Sequence, residues 1–150
     1  MATPRKHKDP KVVKKLIDDY FSYCEGTLLL SKGEPVLYKC LPVYRRAPVP
    51  PTVAGLVYAL GFADEQSVRE YEIRGAGADA TPEEQAIGVL ITRAKWAIRQ
   101  YVEQRLFDKD GARGAVWWLA VHAGQREKAE ADAPQTIVIK MASEDDGLAD

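Results

Sequence analysis

The chain has 150 residues, 46% of them hydrophobic and 29% charged, with 21 Lys and Arg against 22 Asp and Glu. That is material for one ordinary globular domain or two very small ones, too rich in aliphatic and aromatic residues to remain disordered. No apolar run approaches the ~20 residues that cross a bilayer and the amino terminus lacks the apolar stretch of a signal peptide, so a cytosolic protein is expected.

Charge is balanced in total but segregated along the chain. Arg5, Lys6, Lys8, Lys11, Lys14 and Lys15 face only Asp9 in the first 15 residues, whereas Glu144, Asp145, Asp146 and Asp150 close the chain without a base. A basic arm of this kind follows a phosphate backbone; an acidic tail does not, and reads as a solvated end. Cys24 and Cys40 are too few for a disulfide scaffold and stand in no zinc-binding spacing, so both are read as reduced and structural.

In chain order, Asp9 and Pro10 suit an N-cap and first helical position, and Val13, Leu16, Ile17, Tyr20, Phe21 and Cys24 recur at helical spacing until Gly26. From Thr27 to Pro51 the periodicity fails among prolines and glycines, which leaves an extended excursion or a hairpin. Thr52 caps a short helix with an apolar stripe of Val53, Leu56, Val57 and Leu60 that stops at Gly61, and Asp64 caps the next helix, in which Val68 and Tyr71 face inward. Helix, glycine-bearing turn, helix over Thr52 to Glu72 is a helix-turn-helix outline. Its second helix offers Gln66 for adenine and Arg69 and Arg74 for guanine or phosphate, with Glu65, Glu70 and Glu72 opposing a phosphate lattice.

The small, glycine-rich stretch Arg74 to Ala80 reads as a linker. Thr81 and Glu84 then form a capping box with Pro82 between them, opening a helix that runs to about Phe107. After the turn Asp108 to Gly111, the segment ARGAVWWLAVHAG makes a second helix ending at Gly124, folded back as an antiparallel hairpin. Two helices alone cannot bury so many apolar positions, so copies of the chain are expected to cover them, with Leu90, Ile91, Ile98, Val102, Trp117 and Trp118 as contacts. After a charged spacer, Thr136 to Met141 reads as a lone strand that needs another subunit's strand, adding Ile137 and Ile139 to the oligomer contacts.

No nucleophile with a base, metal cluster or phosphate loop appears, so neither catalytic residue, metal nor cofactor is assigned. His7 lies in the basic arm, and His122 on an apolar helix reads as a structural histidine. Gly75-Ala76-Gly77 lacks the Lys-Ser/Thr of a nucleotide loop.

The order of these segments resembles the small terminase subunits of tailed bacteriophages. The resemblance rests on PTVAGLVYALGFADEQSVREYE (Pro51 to Glu72), on ITRAKWAIRQYVEQRLFDKDGARGAVWWL (Ile91 to Leu119) and on GQREKAEAD (Gly124 to Asp132), and covers roughly residues 10 to 132. Where many relatives carry Lys-Asn and an aromatic after glycine, this chain has Ala120-Val121-His122-Ala123-Gly124-Gln125. The resemblance implies a mainly α, non-enzymatic ring oligomer that binds double-stranded viral DNA at the packaging site and presents it to the large terminase subunit, an ATPase and nuclease, in the host cytoplasm and outside the mature virion.

Carried onto this chain, it implies a helix-turn-helix DNA-binding domain over 1–75, a helical-hairpin oligomerisation domain over 81–124, a spacer and strand of an intersubunit β-barrel over 125–141, and an acidic disordered tail over 142–150. Phosphate contacts are expected from Lys6, Lys8, Lys11, Lys14 and Lys15, and base contacts from Gln66, Arg69 and Arg74. The alternative is a dimeric helix-turn-helix transcription regulator whose long helix forms the dimer.

Overall fold

The structure is a computed structural model that describes residues 6–124. The strand expected at 136–141, with Ile137 and Ile139, and the acidic tail lie outside the described residues. Five helices and three small antiparallel ladders make up the fold, and among the described residues no helix is long and apolar enough to cross a membrane.

Helix α1 spans Pro10–Glu25. Its start is set locally: the Asp9 carboxylate accepts from the Lys11 N–H at 2.9 Å, and Pro10 sits where no intrahelical N–H partner is needed. It ends at Gly26, whose φ of 81° and close approach to the returning chain exclude a side chain: a Cβ there would lie 2.6 Å from the Arg46 carbonyl oxygen.

Residues 27–46 settle the open segment as three two-stranded ladders. Strands β1 (Thr27–Leu28) and β6 (Tyr44–Arg46) pair at the base, β2 (Leu30–Ser31) pairs with β3 (Glu34–Pro35), and β4 (Leu37–Tyr38) with β5 (Leu41–Pro42). The cause is a seven-residue repeat, LLSKGEP followed by VLYKCLP and then VYRR. Leu29, Val36 and Val43 hold the same place in each repeat and close a ring of backbone hydrogen bonds: Leu29 N–H donates to Val43, Val43 to Val36, and Val36 to Leu29, each at 2.9 Å. The tips turn through pairs of left-handed residues, Lys32 and Gly33 at φ 52° and 86°, Lys39 and Cys40 at 49° and 64°. Left-handed backbone at both central residues is the mark of the hairpin turn that matches strand twist.

Helix α2 spans Val53–Ala59 and α3 spans Glu65–Gly75. Thr52 Oγ1 caps α2 by accepting from Gly55 N–H at 3.0 Å, and Asp64 caps α3 by accepting from Ser67 N–H at 2.9 Å and Ser67 Oγ at 2.7 Å. The Tyr20 hydroxyl ties α1 to this corner: it donates to the Thr52 carbonyl at 3.0 Å and accepts from the Thr52 N–H at 2.8 Å. Gly55 makes room for it, since a Cβ there would collide with the hydroxyl.

Helix α4, Pro82–Arg105, opens with the full Thr81/Glu84 capping box, and α5, Ala112–His122, folds back along it. One core unites the helices: Val13 and Ile17 of α1, Val53, Leu56, Val57 and Leu60 around α2, Val68 of α3, and Ile87, Ile91, Ala94 and Ile98 of α4.

The segments before residue 75 and after 81 thus contribute to one core. Helix α4 is a central wall of the same core, brought against α3 by two glycines; a Cβ on Gly75 would sit 2.6 Å from the Glu84 carbonyl oxygen. Ile91 and Ile98, expected between copies, are 1% and 0% exposed within the single chain. Leu90 and Trp118 pack half-buried against the core, and Val102 is half-buried, while Trp117 stays 63% exposed. Helical periodicity marks a face for burial without naming what covers it, and here α1 to α3 supply most of the cover.

Candidate nucleic-acid interface

Helix α3 carries the most polar exposed face beside the α2–α3 corner. With 3.6 residues per turn, burying Val68 and half-burying Tyr71, Glu72 and Gly75 leaves Gln66, Glu70 and Ile73 along the middle of the free face. Arg69 and Arg74 fall on its two shoulders. Arg69 lines a cleft of about 240 Å³ with Glu72, Lys95, Trp96 and Arg99, and Arg74 lines one of about 260 Å³ with His7, Lys8 and Tyr71.

Of the three acids that oppose phosphate in the sequence, one is half-buried and turned off the free face of α3. Glu72 is turned toward α4, accepting from Lys95 Nζ at 2.8 Å and Thr92 Oγ1 at 3.1 Å. Glu65 and Glu70 remain exposed. Asp64, at the head of the helix, is held below the ordinary carboxylate range by the hydrogen bonds it accepts from Ser67.

The basic arm is strapped onto this corner. Lys6 Nζ donates to the Gly61 carbonyl, the His7 N–H donates to the Tyr71 hydroxyl at 3.1 Å, and His7 Nε2 lies 2.6 Å from the Leu60 carbonyl oxygen. The imidazole stands edge-on to Phe62 at 5.3 Å, and Phe62 packs on Tyr71 at 5.2 Å. The strap gathers Lys6 and Lys8 beside α3. The other three lysines lie along α1: Lys11 is exposed, while Lys14 pairs with Asp18 and Lys15 with Asp19 one turn on, so these pairs add little net field. The Asp19 hydrogen bond and charge raise the Lys15 ammonium above its usual value.

Five lysines expected to act alike thus divide into two at the corner, one exposed on α1 and two paired. Sequence reasoning missed the locking role of His7 and Tyr71, which no local pattern announces because they lie 64 residues apart. It also missed the exposed cations of the ladder segment, Lys32, Lys39 and Arg45, whose signal was the seven-residue repeat.

No protein-family model, curated protein or solved structure matches the chain.

Proposed function

We propose that the chain is a DNA-packaging subunit of the small-terminase kind, non-catalytic, which binds duplex viral DNA as a ring of copies and presents it to a large subunit bearing the ATPase and nuclease. In this reading α2 and α3 are a helix-turn-helix: α2 braces against the backbone and α3 enters the major groove. Gln66 reaches base edges from the middle of the face, and Arg69 and Arg74 grip from the shoulders. The observation that carries the reading is the free α3 face framed by two arginines, with Lys6 and Lys8 pinned beside it by His7.

Assembly is supported by apolar surface the single chain leaves uncovered. Val89, Trp96, Val116, Trp117 and Val121 of α4 and α5 are all at least half exposed, which is the kind of surface a second copy covers. Assembly also answers the near-neutral charge, because several weak modules contacting one duplex gain from effective concentration.

Light scattering on a sizing column and duplex retention at low salt test the two halves. A closed assembly well above a tetramer, with retention lowered about tenfold or more by Gln66→Ala with Arg69→Ala, is the expected result, since each good base contact contributes about 1–3 kcal/mol. A dimer turns the reading to the transcription regulator. Unchanged retention removes α3 as the reading helix.

A further inference from the structure

The ladder segment 27–46 has no role in DNA reading by α3, and its surface is unusual. Lys32, Lys39 and Arg45 are exposed and make no ion pair among the described residues, against one acid, Glu34. Lys32, Lys39 and Arg46 are equivalent positions of the repeat, but they are used differently. Arg46 anchors the segment, donating to the Tyr23 carbonyl at 2.5 Å with its guanidinium 4.1 Å over the Tyr23 ring, while the two lysines stand at the free hairpin tips. Beside those tips Leu30, Leu37, Tyr38 and Leu41 are exposed, Leu41 to 69%.

We propose that residues 27–46 are a second duplex-DNA contact, which lies beside the strand of phosphates flanking the site read by α3; this rests on the DNA-binding role proposed for the chain. Three observations argue for DNA. First, Lys32 and Lys39 sit on tips that the ring of backbone hydrogen bonds holds in place and Arg45 lies within the paired strand β6, so binding phosphate orders little that is not already ordered. Second, cations beside projecting aliphatic and aromatic side chains are the equipment of proteins that grip phosphates and press apolar groups between base steps. Third, the segment opens into the head of α2: Val49 N–H donates to the Cys24 carbonyl at 2.9 Å, and Pro51 leads to the Thr52 cap. In a helix-turn-helix the first helix crosses the DNA backbone, so its head is where phosphates pass.

The chain carries its own reporter. Cys40 is exposed at the second tip between Lys39 and Leu41, and Cys24 is buried as an internal control. The experiment follows alkylation of both thiols in the full chain with and without a ~40-bp duplex at low salt, and measures duplex affinity against salt for the wild type and for Lys32→Gln with Lys39→Gln and Arg45→Gln. DNA is expected to slow Cys40 alkylation at least fivefold and leave Cys24 unchanged. The triple variant is expected to flatten the slope of log affinity against log salt by about 3 for each subunit that contacts the duplex, near 0.9 for each phosphate that the three cations no longer neutralise.

If the wild type retains duplex but neither Cys40 nor the slope responds, this inference is overturned and the α3 reading stands. If the triple variant loses retention that Gln66→Ala with Arg69→Ala keeps, residues 27–46 are upheld as a duplex contact and the α3 reading, with the placement beside it, falls. No retention by the wild type overturns both, and protection of Cys40 by polyglutamate instead of duplex DNA overturns the inference by identifying the surface as a site for acidic protein.

Discussion

The helical body and the ladder segment 27–46 are held together by different means. The body is stabilised by side chains: eleven apolar residues from four helices form one core, and no polar or charged residue is buried among the described residues. In the ladder segment nearly every side chain is exposed, and the backbone supplies the cohesion through three short ladders and a closed ring of three hydrogen bonds. A body of the first kind tolerates surface change and fails on core change. The second kind is indifferent to most side chains and sensitive to turn residues, which frees its surface for contact with a partner.

The strongest way to break that contrast is in the core. Ile98→Ala removes a side chain with no exposed surface from the core that α1 to α4 share, and is expected to cost about 2–5 kcal/mol in urea unfolding. If the cost is below about 1 kcal/mol, the position is not a shared core. Thr52→Ala tests the seam between the two regions, since it removes the cap of α2 where the ladder segment ends; a loss of about 1 kcal/mol is expected in the same measurement.

Cys40→Gly sharpens the contrast from the other side. Cys40 has a left-handed φ of 64° where the first repeat has Gly33, so the smaller residue relieves strain and is expected to raise stability by up to about 1 kcal/mol, in contrast to the usual cost of truncation. A loss would show that the thiol makes a contact that outweighs the strain.

The smallest effect is a pH dependence confined to the body. The folded Asp64 carboxyl titrates below its unfolded value, so its contribution to α3 is complete above the unfolded range near pH 4 and fades as pH falls through the lower, folded value. Amide exchange at Ser67 is expected to speed up on acidification from about pH 5 toward pH 2 relative to the α4 core, and Asp64→Asn is expected to abolish the difference. Equal acceleration in both variants would mean that the cap does not titrate.

Helix starts were the most legible part of the fold, because a cap is a local event. Asp9, Thr52, Asp64 and the Thr81/Glu84 pair each bond an N–H two or three residues away, and all four act where the sequence puts them. The ladder segment was not legible by alternation of apolar and polar residues, because its strands are two or three residues long and their turns are Lys-Gly and Lys-Cys in place of the Asn-Gly that usually signals them. At the candidate interface, Gln66, Arg69 and Arg74 could be named from the helix alone. The inward turn of Glu72 could not, since Lys95 and Thr92 belong to a helix 20 or more residues away.

By itself, then, the sequence determined where each helix begins, which face of it is apolar and that a basic arm precedes α1, since all three depend on residues within a few positions of one another. Tertiary structure alone decided what covers each apolar face. It buried Ile91 and Ile98 inside one chain and left Trp96 and Trp117 outside it. It also divided the basic arm into lysines at the corner and lysines paired along α1, because a side chain's partner is set by which distant segments the packed core brings within a few ångströms.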